Sequence, residues 1–432
     1  MTEDQKNNID NFLKKNGFFV GFDSTKLSAF KDKLTSAILK ECRELDEDPS
    51  TYMMIKTGIS PKLSKNSSVL ALDIGGTNIR KCLIRFDNNG KLTSSLISKR
   101  LREGMMNKDF FKELARFVLN EDVYSMDDLL KINHISLCFS YPFKSEKDGD
   151  AFMSATAKGI DRDQFEGRPL IKTLLAALKD EGVTLRVSGT VVNDATSSLL
   201  YLTTLSSDKN SIKLGSIVGT GCNVALFDPH TRNKRVICTE CGHFTLKYMS
   251  DNDSDSHLYG VSNFDMEVDR ALHLNGESNF EIVTSGFYIF RVLKVIIRAL
   301  RNNALIPESD KSAIDDFYDH LDDTSSLTDY YATTASELVK YLITLMIKRS
   351  SLYLTSLFTA FIIYSKGMSD SSSINSDNGD DVEIYIEGST YHLLPLYKET
   401  TEVMMKNVKF YYPQKNDGST ILIGSSIGHI NV

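Results

Sequence analysis

Tryptophan is absent from the 432 residues, and proline (8) and cysteine (6) are sparse. Six cysteines scattered over this length form no disulfide framework of the kind small secreted domains use; they read as reduced thiols, and the cytosol is the expected compartment. No stretch approaches 18 uninterrupted apolar residues, so no membrane-spanning helix is expected. Positive charge is also short: 50 Lys and Arg against 57 Asp and Glu leave a formal net charge of −7, which argues against nucleic acid as a main partner. The opening residues, MTEDQKNNIDNFLKKNG, have neither the apolar core of a secretory signal nor the Arg-rich, acid-poor makeup of a transit peptide. No internal period of 20 to 50 residues marks a solenoid or propeller.

What is present is a globular composition, 41% hydrophobic and 25% charged, long enough to bury two cores. Apolar residues at helical spacing predict helices over 10–18 and 26–45, with Asp23 or Ser24 as N-cap of the second, and later over 109–119, 169–179, 279–300 and 336–365. Short apolar runs predict strands over 68–73, 81–86, 132–139, 185–192, 213–219, 222–227 and 382–386. Alternation of the two types makes this an α/β chain. The polar stretches SDNDSDSH (250–257) and SDSSSINSDNGDD (369–381) lack apolar anchors and read as surface loops.

One device occurs twice. LALDIGGTNIRKCLI and GSIVGTGCNVALF each set a glycine-rich turn between two apolar runs. Either alone reads as an ordinary hairpin, and neither fits the dinucleotide fingerprint or the P-loop. Together, with Asp73 ending one strand and Thr220-Gly221 in the other turn, they suggest two sets of backbone N–H groups gripping opposite ends of a polyphosphate between two related lobes.

An ordered series of motifs then resembles the eukaryotic hexokinase (hexokinase/glucokinase) family from about Ser68 to the C-terminus. LALDIGGTNIR and SIVGTGCN resemble its two phosphate motifs, and FSYP at 139–142 its FSFP. AKGI at 157–160 is similar to the end of WTKGF, VVND at 191–194 to VNDT, and TECG at 239–242 to MEWG. FEIVTSGFY at 280–288 is similar to FEKMISGMY, and EGSTYHLLP at 387–395 to the adenosine-side GSLYKLHP. The resemblance implies a two-lobed actin-like ATPase (ribonuclease H-like) fold with a cleft between a small and a large domain. N-terminal helices in 1–64 would pack with the large domain, 65–198 would be the small domain and 199–432 the large one, with the extreme C-terminus able to return to the small one.

The implied activity is transfer of the γ-phosphoryl group of MgATP to the 6-hydroxyl of glucose, mannose or fructose, the first step of glycolysis, with ATP and Mg²⁺ as cofactors. Phosphoryl transfer of this kind rests on positioning and charge stabilisation. By resemblance Asp194 is the base, although from the residues alone an N-cap for the helix starting near Ala195 is an equal reading. Lys158 would steady the moving phosphoryl group. Ser140, Thr156, Lys158, Asn193, Asp194, Asn223, Glu240 and Glu281 would cage the sugar. Asp73 would hold Mg²⁺ through water. Gly75, Gly76, Thr77, Asn78 and Arg80 would meet the phosphates at one end of the nucleotide, Thr220 and Gly221 at the other, and Gly388 and Ser389 would lie near adenosine.

The sequence departs from the family in two places. Where the family places Thr before Lys, Ala157 precedes Lys158 and Thr156 comes one residue earlier. At the C-terminus DGST (417–420) and GSSIGHI (424–430) compete for the last nucleotide motif. The second is favoured because Ile421–Ile423 reads as a preceding strand, which brings in Ser425. CTECGH (238–243) hints at zinc, but the chain supplies no fourth ligand in a second C-x-x-C or H-x₃₋₅-H. Two further classes stay open: a non-catalytic sugar sensor, and an actin-like or chaperone-like ATPase with no sugar cage.

Overall fold

The computed structural model describes residues 1–18, 24–47, 53–61, 65–75, 78–101, 109–154, 162–231, 234–244, 261–321, 324–334, 336–367, 382–414 and 417–430. The two polar stretches at 250–257 and 369–381 lie outside them, as do Gly76, Thr77, Thr156, Ala157 and Lys158.

Two six-stranded sheets repeat one plan. In the first, Ser67–Ile74 and Asn78–Phe86 form an antiparallel hairpin, and His134–Phe139 then Ser188–Val192 extend it in parallel. In the second, Ile212–Val218 and Cys222–Phe227 form the hairpin, and Val382–Glu387 then Val408–Tyr411 extend it in parallel. The inner strands of both sheets are covered on both faces, which is why they read as apolar runs and not as alternating patterns. Parallel strands point their C-terminal ends one way, and open α/β sheets collect ligands at such ends. Asp73, Ser140, Asn193, Gly219 and Glu387 all lie at or just beyond those ends.

Two glycines let a pair of helices fill the space between the sheets. Helix Asp194–Leu205 lies on the second sheet where a Cβ at Gly215 would stand 2.1 Å from the Leu199 nitrogen. Helix Ser419–Ile427 crosses the same helix where a Cβ at Gly424 would stand 1.9 Å from the Ser197 carbonyl. Leu422 and Ile427 of that last helix pack with Val69, Ala71 and Ile84 of the first sheet, so the chain end closes onto the lobe where the strands began.

The larger core gathers the 29-residue helix Glu337–Ser365, helix Gly286–Asn302 and the apolar faces of the first two helices, through Ile9, Leu13, Phe30, Leu34 and Ile38. Inside it Arg349 and Asp265, both buried, pair at 2.5 Å, and Phe18 covers the guanidinium at 4.6 Å. No described helix is long and apolar enough to cross a membrane, and all six cysteines are buried and outside any disulfide.

Two expectations change. The stretch 279–300 is not one helix: it breaks at Ser285, which is extended (φ −105°, ψ 152°), into Asn279–Thr284 and Gly286–Asn302. The break frees the Gly286 N–H to bond the Gly219 carbonyl at 2.9 Å, a tertiary demand that periodicity does not record. Ile421–Ile423 is not a strand but the middle of helix Ser419–Ile427. Gly418 opens that helix at φ +82°, and Gly424, with no side chain, lets the two helices approach.

Candidate active site

The site begins with register. Asp73 and Arg80 lie directly opposite in the first hairpin, and their side chains meet at 2.5 Å. Asp73 is buried, and desolvation raises its pKa against the lowering effect of Arg80. The Gly75 N–H closes the turn onto the Asn78 carbonyl at 3.0 Å, and Tyr141 donates to the Gly75 carbonyl at 3.2 Å. Asn78 Oδ1 and Arg80 Nε are buried without a described hydrogen-bond partner, the latter beside Gly418.

On the next strands, Asn193 and not Asp194 caps the central helix, its side chain accepting from Ala195 N–H at 2.8 Å. This leaves Asp194 as the first helical residue. Its carboxylate accepts from Ala195 N–H and from the Ser140 hydroxyl, yet desolvation, with Glu240 and Asp73 nearby, lifts its pKa to about 6. Such a group is ionised at neutral pH and still basic enough to take a proton.

The hydrogen-bonded cage follows from three elements. Asn223 at the start of its strand donates to Asn193 at 3.3 Å and to Glu240 at 3.1 Å. Glu240 sits in the left-handed region (φ 49°, ψ 38°), a conformation costly for a non-glycine residue and found where a site holds it. Burial raises its pKa, and the Cys238 thiol donates to it at 3.2 Å. Glu281 accepts the Cys222 N–H at 3.2 Å and bonds the Tyr288 hydroxyl. Gly242 makes room here, since a Cβ would stand 2.9 Å from the Cys222 carbonyl and 3.4 Å from Glu281. Cys238 thus serves this cage, while the buried Cys241 thiol lies against the Cys222 carbonyl at 3.9 Å.

A third knot forms around Gly219. Its carbonyl accepts from Gly286 N–H at 2.9 Å and from the Thr390 hydroxyl at 2.7 Å. Gly388, at φ +121°, packs so closely that a Cβ would stand 2.3 Å from the Val218 carbonyl. The GTG turn, the EGST segment and the SGFY segment therefore converge at one point, with Thr220 and Ser389 exposed beside it.

Of the residues expected in the site, Asp73, Gly75, Asn78, Arg80, Ser140, Asn193, Asp194, Asn223, Glu240 and Glu281 fall into these groups, with Thr220, Gly221, Gly388 and Ser389 at the third. Gly76, Thr77, Thr156 and Lys158 lie outside the described residues. Ser425 does not belong to them: it is fully buried in its helix and its hydroxyl donates to the Leu422 carbonyl. The segment that reaches the site is DGST. Gly418 lies against Arg80, where a Cβ would meet its Cδ and Nε at 2.7 Å, and Thr420 donates to Glu387 at 2.5 Å.

Glu387 itself was missed. Desolvation, then the charges of Asp73 and Asp194, raise its pKa to about 7 against the effects of Thr420 and Arg80. The signal was available: it ends an apolar strand just before a glycine, as Asp73 does. Asp73 and Glu387 thus share the Arg80 guanidinium, and Asp194 adds negative charge that raises the pKa of Glu387 further; among the described residues no cluster of carboxylates is arranged to hold a metal ion on its own.

Comparison with known proteins accords with this arrangement. Two family models, both described as Hexokinase, match residues 19–203 and 213–426. The hexokinase of Schwanniomyces occidentalis is 24% identical over 298 residues, 64% of this chain and 58% of that protein. Hexokinase-1 of Saccharomyces cerevisiae is 23% identical with the same coverage, and hexokinase-2 of Candida albicans 26% identical over 66% of this chain and 63% of its own. The matched stretch therefore spans less than two thirds of these relatives' length. Among solved structures, a Schistosoma mansoni hexokinase complexed with glucose superposes with a TM-score of 0.67 at 19% identity, over 98% of this chain and 99% of that one. Another hexokinase crystal structure gives 0.65 at 17%, over 97% and 100%. At these identities the likeness concerns the fold.

Proposed function

This chain belongs to the hexokinase family, and on that premise we propose that it transfers the γ-phosphoryl group of MgATP to the 6-hydroxyl of glucose or a related hexose. The observation that carries the reading is Asp194, poised at about 6 beside the Asn193–Asn223–Glu240 cage. Asp194 takes the proton of the 6-hydroxyl as its oxygen attacks phosphorus, and Ser140 orients the carboxylate. Asn193, Asn223, Glu240 and Glu281 bind the remaining hydroxyls; a sugar lacking one leaves a buried polar group unpaired and is rejected. Arg80, Asn78 and the Gly75 turn receive the phosphates. Asp73 would hold Mg²⁺ through water, and the metal when bound would neutralise charge on the nucleotide's phosphates. Lys158 and Thr156 complete the proposal from the sugar side, and the cytosol is the proposed compartment.

The test is glucose-dependent ADP formation by the purified protein with Mg²⁺ and ATP, with hexose 6-phosphate identified as product. Turnover is expected, and glucose alone should raise the melting temperature because it binds only the folded state. Glucose binding without turnover would turn the reading to a sugar sensor, and ATP hydrolysis with no response to glucose would leave an actin-like ATPase.

A pH profile gives a second check. Asp194 must be ionised to accept a proton, so kcat should rise about tenfold per pH unit below pH 6, where its pKa is held, and by a smaller factor up to about pH 7 as Glu387 ionises. A flat profile between pH 5 and 7 would remove Asp194 as the base.

A further inference from the structure

Helix Gly286–Asn302 carries four cations, and one is treated differently from the rest. Arg298 pairs with Glu267 and Arg301 with Asp315, while Lys294 lies 5.4 Å from the Tyr318 ring centre. Arg291 has no carboxylate partner among the described residues. One of its N–H groups donates to the Phe287 carbonyl, and its guanidinium carbon stands 3.7 Å from the centre of the Phe287 ring and 4.4 Å from that of Phe290. A guanidinium has five N–H donors in a rigid fork. Four of them are left without a described protein acceptor, on a side chain that two aromatic rings hold in place. Burial also lowers the pKa of this guanidinium.

The position of the cation gives its use. Phe287 is the second residue of the helix, and its N–H approaches the Thr220 carbonyl at 3.4 Å, next to the Gly286–Gly219 bond. Arg291 is one turn further on, about 6 Å along the axis, on the face that carries Phe287. It therefore stands one helical turn from the knot where the GTG turn meets the Gly388–Thr390 segment. In the nucleotide arrangement proposed above, that is the adenosine side, where an extended triphosphate places its base-proximal phosphate.

We propose that Arg291, stacked on Phe287, is a nucleotide-binding residue that takes an oxygen of the base-proximal phosphate of ATP or ADP. The inference rests on the hexokinase reading for the place of the nucleotide, but its ligand chemistry, a phosphate oxygen met by an aromatic-backed guanidinium, comes from the unpaired cation itself. Because the contact is made equally before and during transfer, it acts on nucleotide affinity and leaves the chemical step alone.

The experiment is calorimetric titration of the full chain with MgADP, with adenosine and with glucose, comparing wild type with Arg291→Gln and Arg291→Lys. Removing a charged hydrogen bond to phosphate should weaken MgADP binding roughly tenfold or more. Adenosine and glucose affinities and the melting temperature should stay near wild type, kcat at saturating ATP should be preserved, and Arg291→Lys should recover part of the loss. MgADP binding by Arg291→Gln within twofold of wild type overturns the inference, and so does a parallel loss of glucose or adenosine affinity, which would mark a structural role. Failure of the wild type to bind either MgADP or glucose would instead overturn the hexokinase reading on which the placement rests.

Discussion

Asp194→Asn is expected to lower kcat by about 10² to 10⁴, the usual range for loss of a positioned general base, while glucose affinity changes only a few-fold. The two consequences separate because Asn keeps the shape. Its amide oxygen can still accept the Ala195 N–H, now at 2.8 Å from the carboxylate, and the Ser140 hydroxyl. The Asn193–Asn223–Glu240 cage does not depend on the charge at 194 for its own bonds. What Asn cannot do is accept a proton. A helix N-terminus alone favours a carboxylate anion, yet the pKa here is lifted to about 6 because desolvation outweighs the helix and Ser140. The variant should therefore also lose the rise in rate between pH 5 and 6. Steady-state ADP release and calorimetric glucose binding on the same preparation decide the matter. Turnover within tenfold of wild type would assign the base elsewhere.

The sequence made the two hairpins legible for a physical reason. A buried strand must be apolar on both faces, and a turn that brings backbone N–H groups to a ligand must be glycine-rich, so both constraints leave residues in plain order at Leu70–Arg80 and Ile217–Val224. Asp194 was legible as a strand-end acid, but its capping neighbour was not. Asn193 and Asp194 are both good caps, and only the geometry assigns the Ala195 N–H to the Asn193 side chain as cap. The C-terminal motif was misread because Ile421, Leu422 and Ile423 satisfy a strand pattern as well as a helix buried on most sides. The deciding features are the close approach of Gly424 to Ser197 and of Gly418 to Arg80, which are contacts across 227 and 338 residues of chain. Glu387 escaped because a carboxylate before a glycine is common on surfaces. Its meaning arises only when the second sheet sets it beside Thr420, with Asp73 and Asp194 close enough to shift its pKa.

Arg80→Met is expected to cost about 10² to 10³ in kcat, the magnitude typical for removing one charge-stabilising donor from a preorganised site, and to move the acid limb of the pH profile toward neutrality. Arg80 is the described cation that lowers the pKa values of both Asp73 and Glu387. For a carboxyl group, loss of a nearby cation raises the pKa, because the anion loses its partner. Asp73, already raised by burial, and Glu387, already near 7, would then hold protons at pH values where the wild type has released them. The site would enter its active ionisation state only at higher pH. Stability should fall as well, since Asp73 is left buried without its 2.5 Å partner, although protonation limits the cost. Arg80→Lys separates charge from geometry: it keeps a cation near Asp73 but not the fork whose Nε lies buried beside Gly418. It should restore most of the pH limb and less of the rate. The kcat profiles of the three proteins from pH 5.5 to 8.5 test this. Coincident acid limbs would mean that the carboxyl groups around Arg80 do not set the ionisation on which turnover depends.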